Sequence, residues 1–526
     1  MKQRFVAIVN LLFYYITSSA AAACPVPHLV DLGYAKHVPT YINETDSGQQ
    51  VAIYKNVRFA NAPVGDLRFR RADTELPQQD GIQDGSDRLT NSSCISTAPW
   101  MVPFPGINGT TTGGEDCLFL DIFVPEGVKP GDNVPVLHWF VGSAFAFGSK
   151  EFGTDPMGIF DQMRLMGHDK FIFVANNYRL GIPGFLYSEG EDLDANLGLF
   201  DCLAAAEWTA KYIHKFGGDA SRVTAMGESA GATMLYYMST LDGGEAQLPF
   251  QQMFVASPSA PPRRNVTVRQ ADIFKTVLET ADCTSVTCLR SLSEDDLKVV
   301  NHKLINDTPA GGGGGNFGPG IGFTVLPDGQ NIPDIPLELL RTGKVNKGLK
   351  RIMVGSMANE GRGTSSDDDM PRRFPELVRR MLPGTSDEAV AKIQAQYHPE
   401  MPEQLAWDWV TDVVYACQSY NLANALADKS RLFINSFPPA VHGQDISYYF
   451  YMNQEWTPVD YPQVAREYQS KILDFVHGLE VDWPVYGKER KMFNVSSEFE
   501  EMMLPKDRQE RCDLINELVL DPANGA

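Results

Sequence analysis

The sequence predicts an α/β fold with a largely parallel central sheet, and three observations carry that prediction. Short apolar runs recur along the chain: 134–141 (Val-Pro-Val-Leu-His-Trp-Phe-Val), 171–175, 223–226, 252–256 and 351–354. Several lack polar alternation, which suits strands buried on both faces. Helical patterns lie between some of these runs, as in 201–215, where Leu203, Ala206 and Trp208 mark apolar positions. Strand and helix in alternation build parallel sheets. Finally, 43% apolar and 21% charged residues give a globular composition, which excludes disordered, collagen-like and coiled-coil chains.

The 526 residues allow two to four domains or one large α/β domain. Past the N-terminus no charge block or long polar linker divides the chain, so one domain over 24–526 is expected. Residues 1–23 read as a secretory signal peptide: Lys2 and Arg4 form a basic start, an apolar run spans 5–16, and Ala20–Ala23 offer small-residue cleavage sites. That run is short for a membrane helix, and no stretch elsewhere is long enough to span a bilayer, so no stable membrane anchor is expected. Six Asn-x-Ser/Thr sites, at Asn43, Asn91, Asn108, Asn265, Asn306 and Asn494, agree with a secreted or secretory-pathway protein.

Eight cysteines also fit an oxidising compartment. Cys283 and Cys288 stand close enough to close a tight loop. Cys94 and Cys117 bracket a Gly-, Pro- and Thr-rich stretch without helical or strand period, which reads as a disulfide-closed surface loop. Cys202 lies in a helical pattern and reads as a buried free thiol. Cys24, Cys417 and Cys512 are left without assignment, because connectivity does not follow from sequence alone. The net charge of −21 repels phosphate backbones and argues against a nucleic-acid partner. The five glycines Gly311–Gly315 lack the Lys-Ser/Thr of a phosphate-binding loop and read as a flexible surface loop. No His-x-x-x-His or Cys-x-x-Cys cluster occurs, so neither metal nor cofactor is expected.

The chemistry centres on Gly227-Glu228-Ser229-Ala230-Gly231, which follows the strand candidate 223–226 and precedes a helical pattern over 232–238. Strand, sharp turn and helix are the context that a Gly-x-Ser-x-Gly elbow needs. The turn is tight and neighbouring backbone passes close, so a side chain at either glycine would clash. The turn lifts the Ser229 hydroxyl off the sheet and aims the Ala230 amide at a substrate oxygen. A serine hydroxyl is a poor nucleophile without a general base and a group to orient that base. In such elbows the acid and the histidine follow the serine. Downstream stand His302, His398, His442 and His477, and spacing alone leaves all four open. His442 lies in a loop-like segment beside an extended stretch, where catalytic groups belong.

With these residues in view, the chain resembles the type-B carboxylesterases, the cholinesterase and fungal-lipase family of α/β hydrolases. The stretch 216–231 (Phe-Gly-Gly-Asp-Ala-Ser-Arg-Val-Thr-Ala-Met-Gly-Glu-Ser-Ala-Gly) is similar to the family's serine signature, with Ala225 where a larger aliphatic is usual. The stretch 115–125 fits the second signature. Residues 177–181, 184–186 and 196–201 are also family-like, as is the N-terminal set Phe59, Ala62-Pro63 and 67–69. The resemblance runs from about Asp31 to about Tyr486. It implies an α/β-hydrolase fold with helices flanking a mostly parallel sheet. It implies Glu360, in Gly355-Ser-Met-Ala-Asn-Glu360-Gly361, as the triad acid. It implies His442, in His-Gly-Gln-Asp-Ile446, as the base. It also supports Cys94–Cys117 and Cys283–Cys288 as disulfides.

The departure from the family lies in the oxyanion hole. A His or Tyr, three glycines and an aromatic are usual there. This chain has Val141-Gly142-Ser143-Ala144-Phe145. The backbone amides of Ser143, Ala144 and Ala230 are the expected donors, and a side chain does not remove an amide. The added Cβ atoms are expected to confine the backbone to conformations open to ordinary residues. They are also expected to narrow the space beside the reacting carbonyl, against bulky alcohols and tertiary centres. The loop between Cys94 and Cys117 is short. Trp100 stands near its start and no Trp near its end, where the cholinesterases it resembles hold a cation-binding ring, which argues against choline esters; the short loop argues against interface-activated lipolysis. The expected partner is a small or medium ester. The alternatives are a pathway-specific member performing lactone opening, transesterification or cyclisation, and a non-catalytic binding or adhesion protein on the same scaffold. Oligomeric state does not follow from the sequence.

Overall fold

The apolar runs become strands of one eleven-stranded sheet in a computed structural model of the protein, which describes residues 29–89, 92–99, 108–142, 144–264, 266–307, 322–364 and 373–525. In chain order the strands are β1 (Tyr41–Glu44), β2 (Gln50–Arg58), β3 (Phe119–Pro125), β4 (Val134–Phe140), β5 (Ile172–Asn176), β6 (Gly218–Glu228), β7 (Gln252–Ala256), β8 (Arg351–Met357), β9 (Ser430–Asn435), β10 (Lys491–Val495) and β11 (Phe499–Met503). They lie side by side as 11-10-9-8-7-6-4-5-3-2-1. From β10 to β5 every neighbouring pair is parallel. The antiparallel pairs are β10–β11 at one edge and β5–β3, β3–β2 and β2–β1 at the other.

The central strands β5 and β7 are buried along their whole length, as apolar runs without alternation require. Helices flank the sheet, among them α1 (Leu197–Tyr212), α2 (Ala230–Met238), α3 (Gln404–Val410), α4 (Cys417–Ala425), α5 (Pro462–His477) and α6 (Lys506–Leu520). Among the described residues no helix is long and apolar enough to cross a membrane.

Several boundaries differ from the sequence reading. The strand at 223–226 extends to Gly218–Glu228, because Gly218 also pairs with Val134 of β4. The helix expected over 201–215 begins at Leu197 and ends at Tyr212, followed by a tighter turn over Ile213–Phe216. The stretch between Cys94 and Cys117 is not periodless: Ser96–Ala98 pairs antiparallel with Thr110–Thr112. Ser96, Thr97 and Ala98 are buried there, so part of this loop is interior rather than surface. Cross-strand threonine contact, Thr97 Oγ1 to Thr111 Oγ1 at 2.9 Å, helps hold a pairing that no hydrophobic alternation announces.

Disulfides join Cys94–Cys117, Cys283–Cys288 and also Cys417–Cys512, which fastens the start of α4 to α6. Cys202 is a buried free thiol. Asn43 is exposed on β1, Asn108 sits in a turn, and Asn306 contacts His302 Nε2 at 3.2 Å. Asn494 is half-buried in β10 and accepts a hydrogen bond from Ser436 Oγ at 2.5 Å. The signal segment 1–23, Cys24, Asn91, Trp100, Ser143, Asn265 and the glycine run at 311–315 lie outside the described residues.

Candidate active site

The site gathers at the carboxyl ends of β4, β6, β8 and β9, where parallel strands deliver loops to one edge of the sheet. Ser229 directly follows β6 and caps α2. Its backbone sits at φ 55°, ψ −121°, a conformation costly for a residue with a side chain. The flanking glycines explain how the turn fits. A Cβ on Gly231 would lie 1.9 Å from the Phe140 carbonyl oxygen, and one on Gly227 would lie 2.6 Å from the carbonyl carbon of Gly231. The Ser229 amide donates to the Ala256 carbonyl at 2.9 Å, tying the turn to the end of β7. Ala230 opens α2, so its amide belongs to the first helical turn, whose donors have no partner within the helix.

Glu360 follows β8 by three residues and His442 follows β9 by seven. The structure brings both to Ser229. His442 Nε2 lies 2.7 Å from Ser229 Oγ, and His442 Nδ1 lies 2.6 Å from Glu360 Oε2. The other carboxylate oxygen, Oε1, accepts the Met357 amide at 2.7 Å. Glu360 is fully buried, Ser229 is 7% exposed, and the His442 side chain is 19% exposed. The carboxylate holds a proton on Nδ1, which leaves Nε2 free to accept from the serine hydroxyl. This arrangement can take a proton from Ser229 as its oxygen attacks, and return it to a leaving group.

The other downstream histidines are elsewhere engaged. His302 ends a helix and contacts Thr111 Oγ1 at 2.8 Å, and the buried His477 contacts the Leu473 carbonyl at 2.7 Å. His398 lies in an irregular segment before α3.

Two carboxyl groups next to the site did not stand out in the sequence. Glu228 is buried, with Oε1 3.6 Å from His442 Nε2. A Cβ on Gly142 would lie 2.3 Å from its Oε2. Asp445 is fully buried and accepts from Tyr449 Oη at 2.8 Å. Both sit inside motifs already singled out, one residue before the serine and three after the histidine, so position beside the motif residues was the available signal. Burial pushes the Glu228 carboxyl well above its ordinary range, opposed by the positive form of His442. Burial likewise raises Asp445 to about 6. Burial alone would lower His442, but the negative charges of Glu228, Glu360 and Asp445 outweigh it and raise the imidazole to about 9.

The oxyanion loop corrects one expectation. Its side chains do not keep the backbone out of the left-handed region: Ala144 has φ 47° and Phe145 φ 60°. Packing and hydrogen bonds impose that shape. The Phe145 carbonyl accepts the Gly181 amide at 2.7 Å, the Phe145 ring packs edge-on to Phe185 at 5.1 Å, and Tyr178 Oη donates to the Val141 carbonyl at 3.0 Å. Among the described residues no cluster of three or more His, Cys, Asp or Glu side chains is arranged to hold a metal ion.

The sequence profile of the carboxylesterase family matches residues 40–496. A protein of Aspergillus clavatus named carboxylesterase patB is 30% identical over 509 residues, covering 87% of this chain and 89% of that one. A protein of Arthroderma benhamiae named secreted lipase is 28% identical over 376 residues, covering 68% of this chain and 70% of that one. In fold, the crystal structure of Aspergillus niger EstA superposes with a TM-score of 0.79 at 20% identity, over 95% of this chain and 99% of the other.

Proposed function

The chain belongs to the carboxylesterase family and is a carboxylic-ester hydrolase, and on that premise we propose that it works through an acyl-enzyme formed on Ser229. His442 takes the Ser229 proton as Oγ attacks the ester carbon. Glu360 fixes the imidazole tautomer and stabilises its charged form. The amides of Ser143, Ala144 and Ala230 receive the negative charge that develops on the carbonyl oxygen. Each such donor is worth about 3 kcal/mol in the transition state. The proton on His442 then passes to the departing alcohol. In the second half, water attacks the acyl-enzyme with His442 again as base, releasing the acid and Ser229. The observation that carries this reading is the continuous hydrogen-bonded chain Ser229 Oγ, His442, Glu360 at 2.7 and 2.6 Å.

The substrate is a small or medium ester. Cβ atoms in the oxyanion loop leave less room beside the carbonyl than glycines do. The protein works in a secretory compartment or outside the cell, as one domain over 24–526 after removal of residues 1–23. Support for that location comes from the leader-like N-terminus, the disulfides and a relative named as secreted. Ser143 and Ala144 in place of glycines in the oxyanion loop favour one further reading, a pathway-specific member performing lactone opening, transesterification or cyclisation.

The test is product analysis with p-nitrophenyl esters of two to eight carbons, beside Ser229→Ala. The expected result is release of both acid and alcohol, with turnover reduced by roughly ten-thousandfold or more in the variant. Equal turnover by the variant would refute the mechanism. Transfer of the acyl group to an added alcohol in preference to water would support the pathway reading.

A further inference from the structure

One turn of π-helix, Thr411–Ala416, interrupts the helical segment between α3 and α4. Its hallmark is the Cys417 amide bonding to the Asp412 carbonyl, five residues back. Such wide turns cost regular hydrogen bonding and concentrate at functional sites. This one is tied to the Glu360 loop, to the loop that holds the Ser229 amide and, through Tyr415, to His442. Thr411 Oγ1 accepts the Gly361 amide at 2.9 Å, one residue past Glu360. The Val414 carbonyl accepts the Ala260 amide at 3.2 Å, in the loop after β7 whose Ala256 carbonyl holds the Ser229 amide. The Val413 carbonyl accepts from Gln418 Nε2 at 3.0 Å, and Gln418 Oε1 accepts from Tyr236 Oη at 3.0 Å, on the helix that starts at the nucleophile.

Tyr415 completes the set. Its ring centroid lies 4.7 Å from that of His442 at an interplanar angle of 45°. The ring is buried, and the side chains of Ser259 and Thr364 lie near its hydroxyl. Thr364 Oγ1 in turn donates to the Glu360 carbonyl at 2.7 Å. From below, Asp412 is fixed by Arg511 Nε at 2.6 Å and Tyr397 Oη at 3.2 Å, and the Cys417–Cys512 disulfide follows directly.

We propose that the turn Thr411–Ala416 registers the three loops of the site against one another, with Tyr415 as the positioning residue that holds the His442 ring between Glu360 and Ser229. This rests on the reading of Ser229, His442 and Glu360 given above. Two physical effects follow. The wide turn lets Thr411 serve the Glu360 loop while Tyr415 serves His442. The aromatic ring also attracts the imidazolium that forms as Ser229 attacks, so its contribution grows in the transition state. The titratable groups facing the imidazole are Glu360, Glu228 and Asp445, and Tyr415 adds no titrating group near neutral pH.

The experiment compares wild type, Tyr415→Phe, Tyr415→Leu and Ser229→Ala on p-nitrophenyl butyrate, reading kcat, KM, the pH profile of kcat/KM and the thermal midpoint. The expected result is that Tyr415→Leu loses roughly tenfold in kcat with KM little changed. Its inflection in kcat/KM moves to lower pH, because the imidazolium has lost a favourable neighbour. Tyr415→Phe recovers most of the kcat lost in the leucine variant. Should Tyr415→Leu fail to fold, Thr411→Val removes the bond to Gly361 with little change of shape, and the same fall in kcat at constant KM is expected. A change in KM alone, an unchanged pH inflection in folded Tyr415→Leu, or unchanged kcat in Thr411→Val would overturn the proposal. Activity that survives in Ser229→Ala would instead overturn the mechanism beneath it, so the two failures are distinguishable.

Discussion

At Ser229 the chain accepts a backbone conformation with φ 55° that costs about 1–3 kcal/mol and keeps the hydroxyl within 2.7 Å of His442. The flanking elements hold that strain, and the same crowding sets the charge balance around the imidazole. His442 acts as base only when neutral. Its pKa is raised to about 9, so kcat/KM should climb with pH through an inflection above the ordinary histidine value of about 6.5. Glu228 and His442 titrate as a pair: burial favours the neutral carboxyl, and a charged imidazole favours its ionisation. Glu228→Gln removes the negative partner, destabilises the imidazolium and should move the inflection down toward 6.5. A pH–rate series on both proteins checks this, and an inflection unmoved or raised in the variant would contradict it. Sequence patterns made Ser229 legible, because a glycine-flanked serine between strand and helix has a geometric reason to be there. Glu360 and His442 became legible only through resemblance. Their loops meet Ser229 across the sheet, and no local spacing records that meeting.

Elements were readable where burial alone defines them. β7 over Gln252–Ala256 is wholly apolar apart from Gln252, and it matches its sequence run residue for residue. The Ser96–Ala98 and Thr110–Thr112 pair was not readable, since threonine contact across it and burial of the first strand, rather than apolar alternation, hold it. The π-turn was equally hidden: 411–417 (Thr-Asp-Val-Val-Tyr-Ala-Cys) carries no breaker, and tertiary ties to Gly361, Ala260 and Arg511 widen it. The oxyanion loop shows the opposite case, where sequence suggested a conformation that packing overrode. Ala144 at φ 47° carries left-handed strain, so Ala144→Gly should stabilise the protein by up to about 1 kcal/mol. Removing that methyl should also raise kcat/KM for tert-butyl acetate relative to ethyl acetate. Urea unfolding reads the first effect and the ratio of ester rates the second. A ratio that does not rise would remove the steric account of the loop.

Across the whole molecule, buried ion pairs and disulfides hold distant segments to the sheet. Arg179 makes a two-pronged bond to Asp201 at 2.7 and 2.8 Å, and Arg68 reaches Glu115 at 2.5 Å. Much of the family-like sequence around Glu115, Asn177 and Asp201 therefore serves architecture, although it reads like a functional motif. Cys417–Cys512 spans a separation of 95 residues and pins the π-turn region to α6. Closing so long a loop restricts the unfolded chain, worth about 4–5 kcal/mol in the chain-entropy model. The Cys417→Ala/Cys512→Ala variant should lose stability toward that amount, read as a lower urea midpoint, with kcat falling before the sheet unfolds. An unchanged midpoint would contradict this account of the tether. The central claim is that Ser229 forms the covalent intermediate. The most direct measurement is reaction of the purified protein with a fluorophosphonate, followed by peptide mass mapping. The account predicts one adduct on the peptide containing Ser229, formed far more slowly in His442→Ala and absent in Ser229→Ala. An adduct on another residue accompanying loss of activity, or ester turnover that survives complete modification of Ser229, would contradict it.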